Sequence, residues 1–474
     1  MIKSALFTDF YELTMAQGYW KRGKNNYSVF DMFFRRQPFS SGFSIFAGLE
    51  PLLKTIEQFT FSTEDIEYLS TLNLFESDFL DYLSTFKFSG DIWAMNEGTV
   101  VFPNEPLLRV HANIIEASII EGLVLNILNF QSLIATKTAR IWLASNKGSI
   151  MEFGLRRAQG NDGAMSASRA AFIGGASGTS NTLAGKVYGI PVMGTMAHSW
   201  VMSYPTEEEA FESYANLYPD KSIFLIDTYN TLESGIHSAI TVGKRLTAQG
   251  KTWGVRLDSG DIHYLSSAVR EMLDKEGLTN AFITVSNELT EEIIESLVLN
   301  KAPIDSWGVG THMVTGGNES SFTGVYKLSE RTTDEGKMLP TMKLSDNPEK
   351  TTNPGIKQVW RLYHPDGTMK ADILALDEET LVSGVENRFY HPLNDYQSFT
   401  FIPAKVEPLL SLKMKNGKRC TPEQSIFEIK DRVHTQLDTL DRTSKRILNP
   451  HIYKVSLTET LKDLKKGFMK TYGI

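Results

Sequence analysis

Between residues 149 and 332, apolar stretches of strand length alternate with helical segments, and this alternation limits the possible folds most strongly. The strand-like stretches read SIMEFGLRR, IPVMGTMA, SIFLIDTY, TWGVRLDSG, AFITVSNEL, SWGVGTHMVT and FTGVYKLSE. The intervening helices include residues 206–217, where Thr206 and Glu209 match a capping box, and residues 262–275, which end before Gly277. Repeated βα units imply parallel strands, arranged either in a doubly wound sheet or in a (β/α)8 barrel.

Most of these stretches end in polar or glycine residues, and this favours the barrel. The residues concerned are Arg156, Arg157, Thr195, His198, Asp227, Thr228, Arg256, Asp258, Asn287, Glu288, Gly310 and Thr311. In a barrel all strand ends converge on one face, where barrel active sites lie, whereas a doubly wound sheet brings together only the few at its switch point. We therefore expect an α/β fold built on a (β/α)8-type barrel.

The sequence on either side of the alternating part is of a different kind. The stretch TDFYELTMAQGYWKRG has helical spacing up to Gly23, and GDIWAMNEGTVVFPNEPLLRVHANI predicts short strands. After a loop over 332–357, a β-hairpin is expected about Asp366 and Gly367, followed by an amphipathic helix at the end. These patterns predict an N-terminal α+β domain (1–115), a catalytic α/β barrel (116–331) and a C-terminal region (332–474) that packs on both.

Composition and charge exclude several function classes. The chain has 474 residues, 41% of them hydrophobic, and a net charge of −8, which argues against a general nucleic-acid surface. The single cysteine, Cys420, allows no disulfide within the chain and favours a cytoplasmic location. Thr8, Asp9 and Glu12 interrupt the start of the chain, so no signal peptide is expected. The most apolar segment, residues 114–130, carries two glutamates and predicts a buried helix, so no membrane span is expected.

Two stretches suggest anion and sugar binding. In EFGLRRAQGNDG, Arg156 and Arg157 precede helix starts that suit anions, although an arginine pair also forms ordinary surface ion pairs. In VRLDSGD, Arg256 offers a donor fork for phosphate or carboxylate, and its carboxylates suit sugar hydroxyls or a divalent metal. Alternatively, Asp258 or Ser259 caps the helix that follows.

Two further stretches lie at strand ends. In WGVGTHMVTGG, Gly310, Thr311 and Thr315 are candidate phosphate ligands, and no Walker or dinucleotide-binding motif is present. In IPVMGTMAHSWVMSY, His198 has no partner at metal-ligand spacing. From the residues alone, a structural imidazole and a functional one remain equally open.

Taken together, these stretches resemble the nicotinate phosphoribosyltransferase family. The resemblance rests on TDFYELTMAQGYW, EFGLRRAQG, GAMSASRAAFIGGASGTSNTLAG, GTMAHSWVMSY, LIDTYNT, GVRLDSGD, GVGTHMVT, MKLSDNPEKTTNPGIKQVWRL and NPHIYKVSLTETLKDLK, in this order over essentially the whole chain. It implies an irregular α/β barrel with an extra domain built from both ends of the chain. It also implies a homodimer in which each subunit contributes residues to the other's site.

The resemblance further implies a reaction and roles for individual residues. The family joins nicotinate to 5-phosphoribosyl 1-diphosphate, giving nicotinate mononucleotide and diphosphate for NAD biosynthesis. It couples this step to hydrolysis of ATP through a phosphorylated histidine, with Mg²⁺, and is classed with the ligases. By motif, His198 matches the phosphohistidine, while Thr195, Arg256 and Tyr11 match nicotinate contacts. The remaining expected contacts are Phe153 and Asn181 for nicotinate, Arg156, Asp227, Asp258, Ser259, Gly310 and Thr311 for phosphoribosyl diphosphate, and Asp258 and Asp261 for the metal.

Two alternatives stay open. The related nicotinamide phosphoribosyltransferase has an aspartate where this chain has Asn181, and a carboxylate there suits an amide ligand but repels a carboxylate one. Asn181 therefore favours nicotinate. The other alternative is a non-catalytic, ligand-sensing protein on the same scaffold, against which the joint presence of His198, Arg256 and Asp258 argues.

Overall fold

The computed structural model describes residues 3–345, 347, 350–394 and 396–471. The chain divides into two compact units, which are described separately. Unit 1 comprises Met1–Thr136 and Ser321–Ile474, and unit 2 comprises Lys137–Ser320.

The N-terminal part of unit 1 contains helices and short strands in mixed order. They are α1 (Phe10–Lys21), β1 (Tyr27–Phe34), β2 (Ser44–Ile45), α2 (Leu49–Ile56), α3 (Thr63–Thr71), α4 (Ser77–Ser84), β3 (Asp91–Ala94), β4 (Val100–Val101), β5 (Leu108–Asn113), α5 (Ile114–Ile119) and α6 (Glu121–Ala144). The boundary between the two units falls inside α6.

Unit 2 continues with alternating strands and helices. They are β6 (Ser149–Glu152), α7 (Gly160–Gly174), β7 (Gly178–Thr179), α8 (Thr182–Tyr188), α9 (His198–Met202), α10 (Glu207–Leu217), β8 (Ser222–Leu225), α11 (Ile236–Ala248), β9 (Trp253–Leu257), α12 (Ile262–Lys275), β10 (Phe282–Val285), α13 (Glu291–Leu299), β11 (Ser306–Val309) and α14 (Thr311–Val314).

The C-terminal part of unit 1 is mostly strands. They are β12 (Gly324–Thr332), β13 (Met338–Pro340), β14 (Lys357–Tyr363), β15 (Met369–Leu376), β16 (Asn387–Tyr390), β17 (Ser398–Phe401), β18 (Lys405–Pro408), β19 (Ser411–Lys415) and β20 (Lys418–Arg419), followed by α15 (Ile426–Thr439), β21 (Lys454–Leu457) and α16 (Glu459–Thr471).

Both ends of the chain build the sheets of unit 1. A seven-stranded sheet has the order β13-β12-β1-β5-β3-β19-β20, so β1 pairs on one side with β5 and on the other with β12, from the far end of the chain. Phe30, Met32 and Phe34 of β1 point into the main apolar core, while Asp31 points to the opposite face, as alternation along a strand requires. A second, six-stranded sheet has the order β17-β16-β21-β15-β14-β18. The predicted hairpin about Asp366 and Gly367 joins β14 and β15.

Unit 2 contains one parallel sheet of six strands, in the order β7-β6-β11-β10-β9-β8. The last strand of the unit, β11, pairs with the first, β6, as in a barrel wall. The edges are β7 and β8, and no strand pairing joins them anywhere in unit 2, every residue of which is described. The fold is thus mixed α/β with a parallel half-barrel, and the eight strands expected from the sequence are not present in this sheet.

Three strand predictions differ from the structure. The stretch 190–197 contains only one bridging residue, Val192, which pairs with Thr179. Pro191 lacks an N–H group, and this limits pairing along the stretch. The predicted strand at 322–330 corresponds to β12 (Gly324–Thr332), but β12 is antiparallel to β1 in unit 1 and not part of the parallel sheet. The short strand β7 was not predicted.

The long helix expected after the first domain is divided in two. Helices α5 and α6 are separated at Ile120, where the prediction had one helix from about residue 115 to 145. By length and composition the stretch Ile114–Ala144 could cross a membrane, yet 61% of its most apolar window is buried inside the protein. This burial agrees with the predicted core helix.

The unit boundaries differ from the predicted ones. The sequence placed them at 115/116 and 331/332, and the structure places them at 136/137 and 320/321. The first part of α6 packs its apolar side chains into the core of unit 1, and β12 completes the sheet of unit 1. The two end regions of the chain therefore form one unit. The predicted loop over 332–357 contains β13, and its residues 346, 348 and 349 lie outside the described residues.

Candidate active site

The polar residues predicted at strand ends follow neighbouring parallel strands of unit 2. Asp227 and Thr228 follow β8, Asp258 and Ser259 follow β9, and Gly310 and Thr311 follow β11. Since parallel strands end at the same edge of a sheet, these residues share one rim. We call this edge the unit 2 rim.

His198 is the first residue of α9 and contacts two neighbouring rim residues. Its Nδ1 lies 3.2 Å from the Thr228 hydroxyl oxygen, within hydrogen-bond distance. Its Nε2 lies 3.7 Å from Asp258 Oδ2, too far for a hydrogen bond but close enough for electrostatic attraction to a protonated ring. The imidazole is 41% exposed, so it is open to a reactant.

Arg256 is mostly buried at the end of β9. Its guanidinium donates a hydrogen bond to the Thr195 hydroxyl, and its Nε is buried with no partner among the described residues. Burial lowers the pKa of Arg256, an effect that Asp258 and Asp227 oppose and that the positive charge of Arg156 reinforces. A buried donor without an acceptor costs about 1–3 kcal/mol, so this position favours an incoming anion.

Two aspartates of the rim are fixed by hydrogen bonds. Asp227 Oδ2 accepts from the Asp258 backbone N–H at 3.1 Å and from the Ser259 hydroxyl at 2.6 Å. Asp258 Oδ1 accepts from the Ser286 hydroxyl. Asp227 Oδ1 is buried and none of the residues that the structure describes is its partner, so it can accept a hydrogen bond or bind a cation. Ser286 was not predicted, although its position directly after β10 is a signal for it.

In VRLDSGD, the residue that caps α12 is neither Asp258 nor Ser259, the two caps proposed from the sequence. Asp261 is the N-cap of α12, and its Oδ1 accepts from the Tyr264 backbone N–H at 3.0 Å. Asp258 and Ser259 are therefore available to the rim. Among the described residues, no group of three or more His, Cys, Asp or Glu side chains is placed to hold a metal ion.

Thr311 and His312 both contact the carboxylate of Glu288, and His312 was not among the predicted site residues. Its hydroxyl donates to Glu288 Oε1 at 3.3 Å, and His312 Nε2 lies 3.4 Å from Glu288 Oε2. The Thr315 hydroxyl is used locally, donating to the Thr311 carbonyl at 2.7 Å. Thr311 is thus held at the rim, while Thr315 has a structural partner.

Phe153 and the two arginines follow β6 on the same rim. A Cβ atom on Gly308 would lie 2.8 Å from the Phe153 ring, so the glycine leaves the space that this ring occupies. Arg156 and Arg157 are exposed in a short helical turn, Leu155–Arg157. Of these two, Arg156 is close enough to Arg256 to affect its pKa.

Asn181 has a structural role that its sequence position had not suggested. It is 3% exposed and is the N-cap of α8, accepting from the Ala184 N–H at 3.2 Å. Its amide nitrogen donates to the Ser168 hydroxyl at 3.2 Å, and Ser168 donates to the buried Glu152 at 2.9 Å. The polar atoms of Asn181 therefore have protein partners, and its predicted contact with nicotinate stays a prediction.

Tyr11 lies in unit 1, on the first turn of α1, and is half exposed. Burial, a hydrogen bond to Glu12 and nearby carboxylates raise its pKa. Its predicted contact with nicotinate also stays a prediction.

Comparison with known proteins gives evidence on the family of the chain that is independent of this geometry. Family profiles described as the nicotinate phosphoribosyltransferase (NAPRTase) N-terminal domain, family and C-terminal domain match residues 6–129, 149–388 and 356–465. The chain belongs to the nicotinate phosphoribosyltransferase family. It is 41% identical to nicotinate phosphoribosyltransferase of Bacillus subtilis (strain 168) over 96% of this chain and 93% of that one, and 36% identical to the Caenorhabditis elegans enzyme over 96% and 92%. A crystal structure of human nicotinic acid phosphoribosyltransferase matches with a TM-score of 0.85 at 30% identity, covering 97% of this chain and 99% of that one.

These findings confirm the resemblance and the type of enzyme. The chain is a phosphoribosyltransferase of pyridine nucleotide metabolism that uses small-molecule substrates. The family assignment therefore favours neither alternative from the sequence analysis, the nicotinamide phosphoribosyltransferase or the non-catalytic, ligand-sensing protein.

Proposed function

We propose that the unit 2 rim joins nicotinate to 5-phosphoribosyl 1-diphosphate and couples this step to ATP through His198. One observation carries the proposal: among the residues that the structure describes, the buried Arg256 has a donor without a partner, and it lies on the same rim as His198, Asp227 and Asp258. The guanidinium of Arg256 can bind the carboxylate of nicotinate, and the neighbouring aspartates can accept hydrogen bonds from the hydroxyl groups of a ribose.

Arg256 is proposed to bind the carboxylate of nicotinate, with Thr195 as a second polar contact. The planar guanidinium can donate two parallel hydrogen bonds to a carboxylate. Phe153 offers a ring face for stacking on the pyridine. These contacts hold the ring nitrogen for attack on C1 of the ribose, from which diphosphate leaves with the bonding electron pair.

Arg156, Ser259, Gly310 and Thr311 are proposed to bind the phosphate groups, and the two aspartates to accept from the ribose hydroxyls. Asp227 Oδ1, which is buried and has no partner within the described part of the chain, suits such a hydroxyl donor. This substitution chemistry needs little proton transfer, so the residues act mainly by positioning both substrates.

His198 is proposed to accept the γ-phosphoryl group of ATP. A ring nitrogen forms the N–P bond while the bond from that phosphorus to the bridging oxygen breaks, and ADP leaves. Water later cleaves the N–P bond, releasing phosphate. The phosphohistidine adds negative charge beside Asp258, which can change the arrangement of the rim between turnovers.

The donor set also fits Mg²⁺. Asp227 Oδ1 and Asp258 Oδ2 are carboxylate oxygens at the rim, and Mg²⁺ is commonly held by one or two carboxylates together with substrate phosphates. When bound there, the ion would neutralise the charge on the leaving diphosphate. Asp261 is the weaker candidate, because it already caps α12.

Further parts of the proposal concern the whole protein. We propose an irregular (β/α)8-type barrel in which residues 190–193 extend the sheet beside β7. We also propose a cytoplasmic homodimer in which Tyr11 of one subunit completes the site of the other. Sedimentation of the purified protein tests the dimer, since a monomer that is fully active would contradict it.

The decisive experiment identifies the product. The protein is mixed with phosphoribosyl diphosphate and Mg²⁺, with either nicotinate or nicotinamide, and with or without ATP, and the mononucleotide is identified by mass spectrometry. We expect nicotinate mononucleotide, formed faster with ATP. Nicotinamide mononucleotide as the main product, or no product, would overturn the assignment.

Labelling tests the role of the histidine separately. With γ-labelled ATP we expect acid-labile label in the wild type and in the control variant His451→Ala, whose histidine is exposed and belongs to unit 1. His198→Ala should take up no label and lose the stimulation by ATP. Normal stimulation of His198→Ala would refute the phosphohistidine.

A further inference from the structure

The carboxylate of Glu288 lies at the unit 2 rim between two side chains that follow the neighbouring strand. Glu288 comes shortly after β10, and Thr311 and His312 begin α14, shortly after β11. The Thr311 hydroxyl oxygen lies 3.3 Å from Glu288 Oε1, and His312 Nε2 lies 3.4 Å from Glu288 Oε2. Both distances are longer than those of a good hydrogen bond, which are about 2.5–3.2 Å. Since the Glu288 side chain is 61% exposed, its carboxylate can move towards either donor.

The backbone before Glu288 determines where this side chain begins. Asn287 has a φ of +117°, in the region that favours glycine. The Leu289 backbone N–H donates to the Asn287 carbonyl at 2.7 Å, which closes a tight turn. Backbone conformations of this kind are costly and cluster at functional sites. The turn therefore fixes the Cα atom of Glu288 at the rim and leaves the side chain to move.

The surroundings of His312 determine which ring nitrogen carries the proton. A Cβ atom on Gly317 would lie 3.2 Å from His312 Nδ1 and 3.5 Å from Lys137 Nζ, so these two nitrogens border the same space. The ammonium of Lys137 also lies 2.5 Å from Glu291 Oε2. A positive charge on that side favours a lone pair at Nδ1 and the proton at Nε2. His312 therefore presents an N–H donor to Glu288.

A phosphate at Thr311 would compete with Glu288. On the proposed function, Thr311 helps to bind the phosphate groups of phosphoribosyl diphosphate. A hydroxyl group has one hydrogen to donate, so Thr311 can donate to Glu288 or to a phosphate oxygen, but not to both. The carboxylate also repels a phosphate that lies beside it. Phosphate binding therefore requires the carboxylate to move away from Thr311.

We propose that Glu288 and His312 set the affinity of the rim for phosphoribosyl diphosphate in opposite directions. Glu288 engages the Thr311 hydroxyl before the substrate binds, and this weakens binding of the phosphate. His312 attracts the displaced carboxylate to its Nε2–H, and this strengthens binding. Both are positioning residues, since they act through Thr311 and not on the reacting atoms. This inference rests on the proposed function of the rim.

Direct binding to the whole protein tests the inference without the reaction. Isothermal titration calorimetry measures the dissociation constant of phosphoribosyl diphosphate with Mg²⁺ and without nicotinate. Glu288→Gln removes a negative charge close to a phosphate and should tighten binding about three- to tenfold. His312→Phe keeps a flat ring without a donor and should weaken binding by a similar factor. His312→Gln retains an N–H donor and should bind nearly as the wild type does.

A double variant distinguishes positioning from a purely structural effect. If His312 acts through Glu288, His312→Phe should lose most of its effect in the Glu288→Gln background. The KM for nicotinate should change much less than the binding of phosphoribosyl diphosphate in all of these variants. The control is Glu292→Gln, whose exposed glutamate in the first turn of α13 removes the same charge. It should bind phosphoribosyl diphosphate as the wild type does.

The outcomes separate this inference from the proposed function. Weaker or unchanged binding in Glu288→Gln would overturn the inference, and so would additive effects in the double variant. Glu288 is exposed, so its variant decides alone if His312→Phe fails to fold. A wild type that forms nicotinate mononucleotide while Glu288→Gln binds no more tightly would overturn this inference only. A wild type that binds no phosphoribosyl diphosphate would overturn both.

Discussion

At the scale of single residues, the rim joins side chains that are far apart in the sequence. Arg256 donates to Thr195 across 61 residues, and His198 lies beside Thr228, 30 residues away. The sequence around each of these residues does not show which side chain it contacts in the folded protein. On the proposed function, Arg256 is the residue on which the choice of substrate depends most directly.

Arg256→Lys should raise the KM for nicotinate by roughly 10- to 100-fold and change the KM for phosphoribosyl diphosphate much less. Lysine keeps the charge but loses the planar donor pair, which is worth about 1.5–3 kcal/mol towards a carboxylate. Steady-state kinetics measure both constants. Arg245→Lys, whose arginine pairs with Glu212 at 3.1 Å outside the rim, is the control and should behave as the wild type. An unchanged KM for nicotinate in Arg256→Lys would place the carboxylate elsewhere.

Asn181→Asp should weaken the use of nicotinate and also destabilise the protein, by about 1–3 kcal/mol at pH 8 and by less at pH 5. Aspartate can still cap α8, but it adds a carboxylate beside Ser168, whose hydroxyl already donates to the buried Glu152. That carboxylate is charged at pH 8 and more readily protonated at pH 5.

Thermal unfolding at both pH values, together with kinetics, checks this prediction. Asn161→Asp is the control, because its asparagine is exposed in the first turn of α7, where a negative charge is tolerated. If Asn181→Asp unfolds at the wild-type temperature at pH 8 and keeps the wild-type kinetics, both the network and the substrate argument fail.

Local pattern could predict part of the site. The strand-end residues were predictable because parallel strands end at one edge, and the role of His198 came from the family resemblance, not from spacing. The contacts of Asn181 could not be predicted from the sequence, because Ser168 and Glu152 reach it only through the packing of α7 on β6. Two residues were missed: Ser286, which directly follows β10 beside the strand-end residues Asn287 and Glu288, and His312, which acts through Glu288.

At the scale of elements, α1 and α6 meet through two carboxyl groups. Glu12 of α1 is 1% exposed and Glu121 begins α6. Burial, partly opposed by Lys327, and the neighbouring Glu12 raise the pKa of Glu121 to about 7. Since an unfolded glutamate titrates near 4.5, the folded state loses stability as the pH rises from about 4.5 to 7, and the loss is complete above that.

Glu121→Gln should therefore stabilise the protein at pH 8, by about 2–3 kcal/mol, and change little at pH 4.5. The amide cannot ionise, so the cost of a buried charge disappears. Thermal unfolding at the two pH values measures the effect as a rise of a few degrees at pH 8. The control is Glu116→Gln, whose carboxylate accepts from the Ser89 N–H at 2.6 Å and should lower the unfolding temperature at pH 8. An equal effect of Glu121→Gln at both pH values would show that its ionisation is not responsible.

At the scale of the whole molecule, unit 1 is built from both ends of the chain. In its seven-stranded sheet, β1 lies between β5 and β12, and β3 lies between β5 and β19. The buried Arg361 of β14 donates to the Val100 carbonyl at 2.7 Å, another bond between the two ends. Hydrophobic periodicity could predict these strands but not their partners, because register between distant segments depends on the packed core. For that reason β12 was assigned to the wrong sheet.

A chain divided after Ser320 should fold only when both pieces are present. Residues 1–320 alone lack β12 and β19, which leaves apolar strands of unit 1 without partners, so we expect aggregation. Co-expression with residues 321–474 should restore a soluble complex. Size-exclusion chromatography and circular dichroism measure both outcomes. A monomeric, fully folded 1–320 fragment would show that the C-terminal strands are dispensable.

The break in the parallel sheet between Val192 and β8 coincides with the segment that carries His198. Residues 193–221 connect the two edges, and in unit 2, all of whose residues are described, no sheet hydrogen bond crosses the break. The links from this segment to β8 and β9 are side-chain contacts, such as those of Thr195 and His198. On the proposed function, a phosphoryl group added to His198 can therefore displace this stretch and change the nicotinate contact at Thr195, while the hydrogen bonds between the parallel strands stay intact.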